Sequence, residues 1–148
     1  MYIVPGFVCM HAHGGGGHDF TECTEEAFRS IINAHLGHGA TSFYPTISSS
    51  PFEKLHQAAK CASSLWQSPT APYWDCTSKV PTSTRKWQAN SCDQVKEIDG
   101  QEYRELVEST RCIRRWDASP ELPGALEFAS YLREKGILAA VSHTEAEY

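Results

Sequence analysis

Apolar residues in this chain gather into short runs separated by stretches with helical spacing. Ile3 to Met10 is a nearly continuous apolar run, the pattern of a strand covered on both faces. Thr24 then precedes Glu25 and Glu26, and Phe28, Ile31, Ile32 and Leu36 recur at helical spacing, which predicts a capped amphipathic helix stopped by Gly37 and Gly39. Thr41 to Tyr44 reads as a second strand, ended by Pro45. Ser50-Pro51-Phe52-Glu53 has the form of a capping box with proline at the first helical position, opening a helix that runs to about Ser64. Further on, Gln101 to Thr110 predicts a helix whose inner face holds Tyr103, Leu106, Val107 and Thr110. A strand follows at Cys112 to Trp116, a helix at Ala125 to Lys135 closed by Gly136, and a strand at Ile137 to Ser142 ending at His143. Strand alternating with helix predicts an α/β fold with a parallel sheet and crossover helices.

Residues 65 to 92 break the pattern. They hold three of the four tryptophans and follow neither a two-residue nor a helical period, yet a loop of that length inside a compact domain is uncommon.

Composition narrows the classes. At 148 residues and 41% hydrophobic content the chain can build a core, but a complete eight-stranded α/β barrel needs about 250 residues. A formal charge of −5 argues against a nucleic-acid or anionic-membrane partner. Neither a signal-peptide pattern nor a bilayer-length apolar stretch is present, so a cytoplasmic protein is expected. The six cysteines include no C-x-x-C pair; reduced thiols are expected, and none is assigned to a metal.

The candidate chemistry lies at the end of the first apolar run, which closes in His11-Ala12-His13 and then Gly14 to Gly17. Side chains two apart on a strand point the same way, so His11 and His13 can meet one metal ion, and the glycines let backbone turn beside it. In parallel α/β barrels the carboxyl-terminal ends of the strands carry the active site.

The stretch YIVPGFVCMHAHGGGGHDF resembles the opening of the barrel in N-acetylglucosamine-6-phosphate deacetylases of the amidohydrolase superfamily. Cys9 stands where the superfamily pattern carries aspartate. Thr41 to Thr46 (TSFYPT), Ala118 to Leu126 (ASPELPGAL) and Ser142 to Ala146 (SHTEA) agree with the deacetylases in particular. The resemblance implies a partial TIM (β/α)8 barrel of the metal-dependent amidohydrolase type, with residues 1–148 as its amino-terminal part. It further implies a divalent metal, zinc or iron, held by His11 and His13 at one position and by His143 at another. The implied substrate is an amino-sugar phosphate, losing its acetyl group by hydrolysis in a homo-oligomeric enzyme. The family's general acid and base, an aspartate, and a further histidine ligand fall after Tyr148, so no catalytic residue is assigned and the fragment itself is expected to be inactive. His18, Asp19 and Glu121 are left without a role, and His35, His38 and His56 are expected to be solvated or partly packed.

The resemblance also suggests what became of residues 65 to 92, where deacetylases place a strand and the motif GLHLEGPY, whose glutamate is a metal ligand. If the frame is displaced there, each true codon is the third base of one residue's codon followed by the first two bases of the next. Tyr73 into Trp74 must then give leucine, Trp74 into Asp75 glycine, and Asp75 into Cys76 leucine. The six junctions from Cys76 to Thr82 permit histidine, leucine, glutamate, glycine, proline and tyrosine in turn. The window thus conceals LGLHLEGPY, and two compensating frame errors, near Leu65 and Cys92, are expected. On that view the window is weakly packed, the third-strand slot is unfilled, and solubility is poor. Two other classes fit the histidine pair: another amidohydrolase, such as a dihydroorotase-like enzyme, and a noncatalytic metal-binding fragment.

Overall fold

A computed structural model describes residues 2–48, 50–66, 76–79, 98–145 and 147. In chain order the elements are β1 (Phe7–Ala12), β2 (Gly14–Gly15), β3 (His18–Asp19), a 3-10 turn (Phe20–Glu22), α1 (Glu25–Gly37), β4 (Ala40–Ile47), α2 (Phe52–Trp66), β5 (Cys76–Lys79), α3 (Gly100–Ser109), β6 (Ile113–Ala118), α4 (Ala125–Glu134) and β7 (Leu138–Val141). Local chemistry sets their limits. Thr24 accepts a hydrogen bond from Ala27 N at the start of α1, and Asp99 accepts from Gln101 N and Glu102 N at the start of α3. Gly39, Gly124 and Gly136 take positive φ at helix boundaries, where a side chain would be strained.

The main sheet runs β1-β4-β5-β6-β7, every neighbouring pair parallel. Its spatial order is therefore its sequence order. Parallel crossovers share one hand, so strands added always on the same side place every helix on one face of the sheet. That is the winding of a barrel wall, and the fold is an α/β arc consistent with an incomplete (β/α)8 barrel. The core lies between strands and helices. Phe28, Ile31, Leu55, Leu106, Phe128 and Leu132 reach in from the helices to meet Ile47, Ile113 and Trp116 on the strands. Both edge strands expose apolar side chains, Phe7, Val8 and Met10 on β1 and Leu138 and Val141 on β7.

Three expectations need correction. The first strand starts at Phe7 rather than Ile3, and the second runs to Ile47, through Pro45 rather than ending at it. The third-strand slot is filled: Leu65 and Trp66 close α2, and Cys76–Lys79 pairs with β4 on one side and β6 on the other. Ladder bonds come from backbone, and the facing edges of β4 and β6 offer buried donors and acceptors to any chain that can bridge them. A polar tetrapeptide suffices for that. The rest of the window from 67 to 92 lies outside the described residues.

Candidate metal centre

His11 and His13 flank Ala12, which is buried in the layer facing the helices, so the two imidazoles stand on the opposite face of β1. Their Nε2 atoms are 3.1 Å apart, with the rings edge to face at 85°. A bulge aims them. Cys9 pairs with Phe43 and Ala12 with Pro45, so three steps along β1 match two along β4. The extra residue bends the strand just before the histidine pair.

Thr46 and Ser48 hold the second histidine. His13 Nδ1 lies 3.1 Å from the Thr46 carbonyl and 3.0 Å from Ser48 Oγ. A carbonyl only accepts, so the contact assigns the proton to Nδ1 and leaves the Nε2 lone pair toward His11. Two imidazole nitrogens bound to one tetrahedral zinc, each at about 2.0–2.1 Å, sit about 3.3 Å apart. The observed separation fits a shared ion. Among the described residues, however, no group of three or more histidine, cysteine or acidic side chains could hold a metal.

His143 follows β7 directly, so it lies at the same carboxyl-terminal end of the sheet but beyond the opposite edge strand. The structure does not bring it to the pair. Its φ of 49° is left-handed, uncommon for a residue with a side chain, and two residues of the preceding loop hold the turn. Ser119, fully buried, donates from Oγ to the carbonyls of His143 (2.8 Å) and Ser142 (3.1 Å). Glu121 accepts from Thr144 Oγ1 and Glu145 N, each at 2.7 Å. Slight desolvation works to raise the Glu121 carboxyl, but the bonds from Glu145 N and Thr144 hold it below its ordinary value.

The four glycines form the first strand and the turn of a hairpin, β2 against β3, with Gly16 and Gly17 of the turn both at positive φ. His35 Nε2 lies 3.2 Å from the Gly14 carbonyl and ties α1 to that hairpin. His18 pairs with Glu22 at 3.0 Å, and Asp19 caps the 3-10 turn, so both serve the loop's structure. His38 contacts the Ala34 carbonyl, and His56 lies 4.0 Å from Glu105 on the outer helices. Sequence reasoning missed Thr46, Ser48 and Ser119.

A singly wound parallel arc with two imidazoles converging at its carboxyl-terminal rim is a barrel segment with a candidate metal site. The chain belongs to the amidohydrolase family, whose model matches residues 2–119. It is similar to human N-acetylglucosamine-6-phosphate deacetylase, 38% identical over 58 residues, 37% of this chain and 14% of that one. The N-acetylgalactosamine-6-phosphate deacetylase of Escherichia coli O157:H7 is 23% identical across 99% of this chain and 40% of its own length. A solved Mycobacterium smegmatis N-acetyl-D-glucosamine-6-phosphate deacetylase variant, in complex with N-acetyl-D-glucosamine-6-phosphate, superposes with a TM-score of 0.89 at 26% identity, over 97% of this chain and 38% of that one. The chain thus spans well under half the length of these relatives. Family membership supports metal-dependent hydrolysis in general. Among the described residues no helix is long and apolar enough to cross a membrane.

Proposed function

We propose that this chain is the amino-terminal barrel segment of a cytoplasmic, metal-dependent deacetylase that converts N-acetylglucosamine 6-phosphate to glucosamine 6-phosphate and acetate. One observation carries the reading: the Nε2 atoms of His11 and His13, 3.1 Å apart at the carboxyl-terminal end of β1, within a fold that superposes on a substrate-bound deacetylase. His11 and His13 would hold one zinc or iron ion, and His143 would contribute to a second position. Bound there, such an ion would supply Lewis-acid polarisation of the acetamide carbonyl and activation of water at neutral pH.

The chain's own residues do the positioning. The Thr46 carbonyl keeps the His13 proton on Nδ1, and the Gly14–Asp19 hairpin that follows His13 is tied to α1 through His35. A third ligand is expected from the displaced frame, since the concealed glutamate falls at the carboxyl-terminal end of β5, the same rim as the histidines. The E. coli relative favours a second substrate, the C4 epimer N-acetylgalactosamine 6-phosphate.

The test is acetate release from both sugar phosphates, with dihydroorotate as the competing substrate. A full-length chain with the GLHLEGPY frame restored should release acetate, and the 148-residue chain should not. Turnover of dihydroorotate alone would overturn the proposal, and metal-proportional acetate release by the 148-residue chain would overturn the expectation that the fragment is inactive.

A further inference from the structure

Thr46 is fully buried although it carries a hydroxyl, and that hydroxyl is fully used. Its Oγ1 accepts from Ala12 N at 3.2 Å and donates to the Tyr44 carbonyl at 3.3 Å. Ala12 is the residue between the two histidines. Pairing shifts register immediately before it, where Ala12 stands opposite Pro45. The threonine hydroxyl thus supplies a lateral tie beside the second of the two register shifts between these strands, the one next to the histidine pair. The same residue's carbonyl holds His13 Nδ1 at 3.1 Å.

We propose that Thr46 is a positioning residue for the histidine pair: its hydroxyl pins Ala12 between His11 and His13 while its carbonyl sets the tautomer of His13. The inference rests on the metal reading above for its purpose. Its geometry stands independently. Without the hydroxyl, Ala12 N–H loses this acceptor, and the end of β1 is held less firmly to β4. His13 then leaves the Thr46 carbonyl, its proton distributes over both ring nitrogens, and the converging Nε2 lone pair is lost.

The experiment compares Thr46→Val, which keeps shape and removes the hydroxyl, with Thr46→Ser, which keeps the hydroxyl. Cobalt and zinc titrations give affinity, imidazole nitrogen shifts give the His13 tautomer in metal-free protein, and amide exchange reports Ala12. Thr46→Val is expected to lose about 10–100-fold in metal affinity, as partners of metal-binding histidines do. It should also mix the His13 tautomers and speed exchange at Ala12, while Thr46→Ser stays near wild type on all three readouts. Equal losses in both variants, or a Thr46→Val protein that retains affinity and a single Nδ1–H tautomer, would overturn the proposal. If the unaltered chain takes up no metal, the metal reading fails, and the tautomer and exchange readouts still decide the role of Thr46. Should Thr46→Val not fold, Thr46→Ala replaces it in the same comparison.

Discussion

Replacing the four residues of β5 by those of the displaced frame is the perturbation with the clearest phase. Loss of one base near Leu65 and gain of one near Cys92 preserve numbering, which sets leucine, histidine, leucine and glutamate at positions 76 to 79. Position 76 pairs with Ile113, and position 78 with Ile47 and Trp116, all three at most 3% exposed in the helix-facing layer. Position 79 pairs with Asp117. A strand alternates faces, so the restored frame sends two leucines toward the core and the glutamate to the other side, the side of the histidines. Burying a leucine contributes about 1.5–3 kcal/mol. Each loses about 0.5–1 kcal/mol of rotamer entropy, leaving roughly 2–4 kcal/mol for the two. At about 2–4 °C per kcal/mol for a chain of this size, Tm should rise by roughly 5–15 °C. Circular dichroism melts of Cys76→Leu/Thr77→His/Ser78→Leu/Lys79→Glu against the unaltered chain measure this. The control swaps phase, with Cys76→His/Thr77→Leu/Ser78→Glu/Lys79→Leu, and should destabilise. Equal Tm shifts for the two quadruple variants would refute the reasoning.

Other consequences follow from single contacts. Phe128 is 1% exposed and packs its ring against Trp116 and Tyr103, so Phe128→Ala should cost about 3–5 kcal/mol in urea unfolding, while Leu126→Ala, at 82% exposure, should change stability by less than about 0.5 kcal/mol. Gly16→Ala and Gly17→Ala both force a side chain into left-handed backbone, about 1–2 kcal/mol each, and Gly16 should cost more because its added carbon meets Ser30 at 3.1 Å. Because the folded Glu121 carboxyl lies below its ordinary value, its contribution is present above the ordinary carboxylate range and lost as pH falls through the lowered value. The Glu145 amide proton shift should follow that titration and lose it in Glu121→Gln; an amide that ignores pH would contradict the clamp around His143.

The winding was legible because each helix announced itself by its period, and α1 by its cap as well: Thr24 and the Phe28, Ile31, Ile32 stripe behave as their spacing demands. The convergence of His11 and His13 was legible too, since strand alternation alone places them on one face. What escaped was tertiary. The bulge before Ala12, the Thr46 hydroxyl and the Ser119 bonds to the His143 turn are interactions between strands or loops 23 to 34 positions apart, which no local period records. β5 escaped for another reason: Cys76–Lys79 carries no apolar alternation, and its place is set by the unpaired edges of β4 and β6. Pro45 read as a strand end because it lacks a donor, yet it sits within β4 opposite the bulge.

Metal binding by the 148-residue chain tests the central claim most directly. Zinc titrated into unaltered protein, into His11→Ala and His13→Ala, and into His143→Ala should show one weak site that either of the first two substitutions abolishes and the third leaves in place. Undiminished binding after His11 and His13 are both removed would contradict the assignment of the β1 pair as the ligands of this barrel's metal.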